Sequence, residues 1–300
     1  MMNRKGIFFT SIAILLISLL LITYTVYSKA DERKSIQRRI ETMNTFVHSL
    51  EEDISRKVFI AGFRSIFTFE NKIIETGSYI PDVSAGFQEM FFNGSLNGIA
   101  QPIMNGATMT DITSSINAIS GKVNINVTLS NPNIIIDQTD PWNVRVRLTG
   151  NLTIKDSSNL VSWKRELSSE SFVPIEYFDD PIYTLSTGGI ITQKINKTIY
   201  SQFDSATLLI HTQSKYYKAS AEAPSFIDRL QGNINLSSPY GVESLVDLQD
   251  LENKGVSISQ KTIVDHIYFS SSSTSYCHVS GTPSWFYLDN NHLPSYNATC

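Results

Sequence analysis

The sequence predicts an α+β protein: a long N-terminal transmembrane and stalk helix, then an antiparallel β-rich, sandwich-like domain with short helices. Three observations predict it. Residues 7–27, IFFTSIAILLISLLLITYTVY, run for 21 positions without a charge. Residues 36–61 then place an apolar side chain at every third or fourth position. From about residue 120 the apolar period falls to two, the period of a half-buried strand.

The uncharged run comes first. A helix of that length spans about 30 Å, the thickness of a bilayer's hydrocarbon core. Three fates are open to it. It is a permanent anchor, or a secretory signal cut at Ser28-Lys29-Ala30 before Asp31, or a class III signal cut after Gly6 that leaves Ile7 as the first mature residue. A secretory core is only about 7–15 residues long, so the length favours an anchor. Counting positive charge, Arg4 and Lys5 stand against Lys29, Arg33, Lys34, Arg38 and Arg39, which alone would put the C-terminal side inside. The features of the body, below, place it outside.

After the membrane, Ile36, Ile40, Met43, Val47, Leu50, Ile54, Val58 and Ala61 form one helical stripe. Charged residues such as Arg38, Glu51 and Glu52 occupy the opposite face. The helix is expected to continue through Phe63, Ile66, Phe67, Phe69 and Ile73 and to stop at Gly77. Phe59, Phe63 and Phe67 widen the stripe beyond a coiled-coil seam, so the stripe is expected to pack on the chain's own sheet. His48 has no partner at metal spacing and is expected at the surface. Residues 78–118 are rich in Gly, Ser and Asn, and the expectation is a long irregular connection with one short helix.

In the body, Val123, Ile125, Val127 and Leu129 alternate with polar residues, and Asn131-Pro132-Asn133 signals a turn. Trp142, Val144, Val146, Leu148, Leu152 and Ile154 alternate again. Residues 156–159 close a hairpin, and residues 160–173 return as a strand. One face of this sheet is wet. Residues 225–230 are expected to be a helix capped by Ser225 and Asp228. Asp180-Pro181 is expected as a turn, and residues 263–269 and 285–288 as strands. The serines at 270–273 are expected in an exposed loop.

Composition agrees with an exported β-rich body. Charged residues make up 17% of the chain; 63 Ser and Thr and 21 Asn replace them. The net charge of −4 argues against a nucleic-acid partner, which requires a basic face. Asn-x-Ser/Thr triplets begin at Asn93, Asn126, Asn151, Asn196, Asn235 and Asn297, six candidate sites for N-linked glycans. Cys277 and Cys300 are the only cysteines, an even number suited to an oxidising compartment. A bridge is favoured over free thiols, or over a metal site using His278 and His292, because no CxxC or HxxxH spacing exists.

The search for chemistry is otherwise empty. GxSxG, HExxH, Walker A and GxGxxG patterns are all absent. Asp265 and His266, on a strand, point to opposite faces and make no dyad. Asp228, Arg229 and Glu243 suggest a structural ion-pair network. Gly188-Gly189 is a turn. The chain is expected to be no enzyme, with no catalytic residue, metal or cofactor.

Met2-Asn3-Arg4-Lys5-Gly6, followed at once by an apolar helix, resembles the start of archaeal type IV pilin-like proteins, whose leader is cut after such a basic-Gly pair. Ser11 stands where many of them carry the Glu that registers subunits in a filament. Short strings further on, including residues 180–183, 225–230, 240–245 and 264–269, resemble a broad set of archaeal membrane-anchored surface proteins. The resemblance implies a cytoplasmic leader at 1–6, a transmembrane helix at 7–28, a stalk at 29–77 and an extracellular domain at 78–300. It implies a single-pass cell-surface protein, held in the bilayer through residues 7–28, that is a pilin subunit or minor pilin associating with its own kind. The alternative is a monomeric anchored binding or adhesion module.

Overall fold

The computed structural model describes residues 4–157, 161–271 and 274–300. The first three leader residues, the hairpin positions 158–159, the first residue of the strand expected at 160–173 and the serines at 272–273 therefore lie outside the described residues.

The first element is a single helix, α1 (Arg4–Thr76), of 73 residues. At 1.5 Å per residue it is about 110 Å long. It stops where expected: Gly77 adopts φ 63° and its N–H donates to the Ile73 carbonyl at 2.9 Å. No side chain from Phe8 to Ser35 is buried. From Met43 onward the stripe is: Met43, Val47, Leu50, Ile54, Val58 and Ala61 are all at most 5% exposed. Ile36 is only half-buried and Ile40 stays 43% exposed, at the edge of the body.

Residues 78–122 hold more structure than an irregular connection. Helix α2 (Val83–Asn93) is capped by Asp82, and Gly94 closes it in the left-handed conformation. A short hairpin, β1 (Ser95–Leu96) with β2 (Ile99–Ala100), follows. Helix α3 (Met109–Lys122) opens on a capping box between Thr108 and Asp111. The expectation of one helix is corrected to two. Their apolar faces, Phe87, Met90 and Phe91 in one and Ile112 and Ile116 in the other, are spaced for a helix, and the Ser and Asn between them diluted the signal.

The main sheet is an antiparallel meander of β3 (Ile125–Asp140), β4 (Asn143–Asp156) and β5 (Ser162–Pro174), in that order. Val144, Val146, Leu148, Leu152 and Ile154 point inward as their alternation requires. Asn131-Pro132-Asn133 does not end β3. Ser130 pairs with Asn151 and Asn133 with Thr149, so three steps on one strand match two on the other. This is a β-bulge, with Asn131 at φ 51°; the extra residue carries the proline out of the ladder.

The buried face of this sheet is covered by helices α1, α2 and α3, not by a second sheet. Gly62 permits the closest approach: a Cβ there would lie 2.7 Å from Val146 Cγ2. Polar contacts fix the docking. Ser171 Oγ donates to the Ser55 carbonyl at 2.6 Å, Arg165 meets Glu51 at 2.6 Å, and Arg39 pairs with the buried Asp156. The stripe thus belongs to this chain's own core, as its width predicts. Phe59, Phe63 and Phe67 line its edge and stay 36–44% exposed.

The C-terminal third is built of short elements, the first of which packs on α1. They are α4 (Pro181–Ser186), β6 (Asn196–Lys197), α5 (Ser205–Gln213), β7 (Tyr216–Ala219), α6 (Phe226–Gln231), β8 (Val242–Ser244), α7 (Leu248–Asn253), α8 (Asp265–Tyr268), β9 (Tyr276–His278) and β10 (Tyr287–Asp289). β6 runs parallel to β7, and β8 pairs antiparallel on its other side. The Ser225–Asp228 capping box opens α6 as expected. Two expectations are corrected. Asp180-Pro181 starts helix α4, with Asp180 as its N-cap and Pro181 at the first position, where a missing N–H costs nothing. Residues 265–268 form helix α8 and not a strand. That turn is forced by burial: Asp265, His266 and Tyr268 all enter the interior, which a strand's alternation forbids.

Candidate functional site

Three features of the structure bear on function: the bare half of α1, the surface of the body, and the polar interior of its C-terminal third.

The bare half is apolar on every side. Phe8, Phe9, Leu15, Leu20 and Ile22 are each more than half exposed, and none of the most apolar window is buried. Among the described residues this is the one helix long and apolar enough to cross a membrane. In water such a surface is costly, at about 25 cal/mol per Å² of apolar area. Three of its hydroxyls are internally satisfied: Ser18, Thr23 and Thr25 donate to carbonyls three or four residues back at 2.7–2.8 Å. That is how a helix hides polar groups from lipid. Gly6 and Ile7 lie on its opening turns.

On the body, Asn93, Asn126, Asn151 and Asn235 are exposed. Asn196 is half-buried in β6. Asn297 is exposed but donates its Nδ2, the atom a glycan would take, to the Phe203 carbonyl at 3.2 Å. His48 is exposed on α1, 3.9 Å from Glu52. Cys277 and Cys300 form a disulfide, with Cα atoms 5.8 Å apart. Cys277 sits on β9 opposite Leu288 of β10, so the bridge ties residue 300 to the expected final strand. The Gly188-Gly189 turn is present, both at positive φ. Ser270, expected in an exposed loop, is buried, its Oγ donating to the Ile267 carbonyl at 3.1 Å.

The interior holds a polar network that the sequence reading missed. Arg229 of α6 is fully buried. Its Nη1 donates to Asp180 Oδ2 at 2.5 Å and to Asp265 Oδ2 at 3.0 Å, and its Nη2 donates to the Val242 carbonyl. Tyr217 Oη donates to the same Asp180 oxygen at 2.8 Å. Asp265 also accepts from the Ser244 hydroxyl at 2.8 Å. Gln193 donates to Tyr217 and Ser244, and the Tyr183 hydroxyl meets Ser244 at 2.9 Å. Burial, together with the Asp265 charge, pushes Asp180 up, against the pull of Arg229. The expected Asp228–Arg229–Glu243 grouping is corrected: Asp228 caps its helix, Arg229 faces Asp180 and Asp265, and Glu243 turns the other way. Asp180 and Asp265 come from the starts of α4 and α8 and Arg229 from the last turn of α6, and together they bolt α4, α6, α8 and β8.

Beside this network lies a second cluster. Glu243 of β8 is fully buried, His292 is 2% exposed and His266 of α8 is 6% exposed. His292 Nδ1 is 2.8 Å from Asp289 Oδ1, and its Nε2 is 3.3 Å from Glu243 Oε2. Asp289 accepts from the Thr262 hydroxyl at 2.9 Å. Burial alone would push His292 down, but the carboxylates of Asp289 and Glu243 outweigh it and hold its pKa at about 10. Burial would raise Glu243, but His292 and Lys218 outweigh it and hold it low. His266, with no carboxylate so close, is pushed down by burial. A cavity of about 290 Å³ opens on this cluster, lined by His266, His292 and Glu222 among others. His278, the partner considered for His292 in the sequence, lies elsewhere, its Nε2 3.0 Å from the Pro283 carbonyl.

No protein-family model, curated protein or solved structure matches this chain.

Proposed function

We propose that this chain is a non-catalytic, pilin-like cell-surface protein, held in the membrane by the first part of α1 with its body displayed outside. The observation that carries this reading is the division of α1. Residues 8–27 are bare and apolar all round, while the part from Met43 onward is the central strut of the body. One continuous helix serving both roles fixes the body rigidly to the membrane. The exposed asparagines and the Cys277–Cys300 bridge support an external, oxidising location for the body. Lys5-Gly6 just ahead of the apolar run supports a leader of the pilin type.

A second reading is favoured by one residue. Ser11 offers no charge to register neighbouring helices, which supports a monomeric anchored binding or adhesion module. Mass analysis of the mature N-terminus, on protein purified from its native membrane, separates the two. A start at Ile7 is the result expected for the pilin-like protein. An intact Met1 or Met2 points to the simple anchor. A start at Asp31 would remove the helix and overturn both.

A further inference from the structure

We propose that Glu243, His266 and His292 form a binding site for a divalent transition-metal ion of the zinc class. Each offers one donor atom, and the three donors lie within 4.8 Å of one another. The His292–Glu243 separation of 3.3 Å matches the edge of a tetrahedron built on bonds of about 2.0–2.1 Å. The His266 donor, within 4.8 Å of the other two, must close by up to about 1.5 Å to reach the same edge length.

An ion pair between His292 and Glu243 explains only part of the cluster. It leaves the buried His266 Nε2 with no hydrogen-bond partner, aimed into the same space, its ring centroid 5.9 Å from that of His292. A buried imidazole nitrogen without a partner is costly. A cation that displaces the His292 Nε2 proton to solvent satisfies all three groups at once.

The surroundings are those of a metal ligand set. Asp289 holds His292 Nδ1 and so presents Nε2 inward; Thr262 in turn holds Asp289, the carboxylate–histidine support common around bound zinc. Glu243 divides its oxygens: Oε1 lies 3.7 Å from Lys218 Nζ, leaving Oε2 for the ion. Two imidazoles and one carboxylate suit zinc and its neighbours over calcium or magnesium, which prefer all-oxygen sites. The cavity supplies both an entry path and an open fourth position. At its rim, Glu222 Oε2 is 3.6 Å from His292 Nε2, within reach of that position.

The test uses the full chain in detergent micelles, disulfide intact, after chelator treatment. Cobalt is titrated to develop visible absorption bands, and zinc is then added in competition. One equivalent per chain is expected, with a visible spectrum of low-symmetry N/O coordination that zinc erases. His266→Gln removes one ligand and leaves the His292–Glu243–Asp289 chain in place. It is expected to weaken binding by at least about tenfold, the lower bound seen on losing a mere supporting residue. His278→Gln and His48→Gln are expected to bind as the unmodified chain does. X-ray absorption on the zinc-loaded unmodified chain is expected to show two imidazoles and oxygen, a readout that stands even if the variant fails to fold. Absence of binding, equal binding by His266→Gln, or a zinc spectrum without imidazole would each overturn the site. The proposal does not depend on how the chain is anchored.

Discussion

Replacing Arg229 with Leu is expected to destabilise the body by about 3–5 kcal/mol, the usual result of removing one partner from a buried ion pair. The mutation leaves Asp180 and Asp265, both fully buried, without their shared cation, and it orphans the Val242 carbonyl. Folded domains hold only about 5–15 kcal/mol in total, so this loss is a large share. Arg229→Lys is expected to recover only part of it, because an ammonium cannot reach two carboxylates and a carbonyl in one plane. Neutralising the acids as well, with Asp180→Asn and Asp265→Asn, should restore much of the stability by removing the stranded charges. Urea midpoints followed by tryptophan fluorescence check all three. A shift below about 1 kcal/mol for Arg229→Leu, the scale of an exposed pair, would show that the network is not the bolt described.

Cys300→Ser is expected to cost about 2–4 kcal/mol under oxidising conditions. The bridge spans a sequence separation of 23, and the chain-entropy model gives about 3 kcal/mol for closing such a loop. Within the loop lie Phe286 and Leu288, both fully buried, and Asp289 and His292 of the second cluster. Losing the bridge therefore loosens a segment that contributes both core and polar contacts. In strong reductant the unmodified chain and the variant should melt alike. Thiol labelling of the unreduced, denatured protein should find no reactive thiol per native chain; two would contradict the bridge.

The legible parts of this fold are those whose signal is local and repeated. The helix of α1 is visible because its stripe runs through eight positions from Ile36 to Ala61, and the buried set from Met43 onward follows it. The meander of β3, β4 and β5 is visible because one wet face writes an alternating pattern. The disulfide follows from having two cysteines and no metal spacing. Only one of helices α2 and α3 was expected, because small polar residues dilute their stripes. Helix α8 was missed because Ile263, Val264, Ile267, Tyr268 and Phe269 are the β-branched and aromatic residues typical of a strand, over a length too short to separate the two periods. The bulge at Asn131-Pro132 carries the same residues as a turn, and only pairing with Asn151 and Thr149 distinguishes them.

The polar interior was not legible for a different reason. Arg229 lies 49 positions from Asp180 and 36 from Asp265, with no motif to link them. Likewise Glu243, His266 and His292 have no common spacing, and they meet only because β8, α8 and the turn after β10 converge. His292 was noticed in the sequence but paired with His278. A buried cluster assembled from distant segments leaves no periodic trace, so composition and spacing do not find it.

The central claim is that α1 holds the body outside the membrane. The most direct measurement is digestion of intact cells with a membrane-impermeant protease, with permeabilised cells alongside to show that the body can be cut. The account predicts that epitopes within residues 78–300 disappear from intact cells while a fragment containing residues 8–28 stays in the membrane fraction. A body that survives on sealed cells and is cut only after permeabilisation would contradict it.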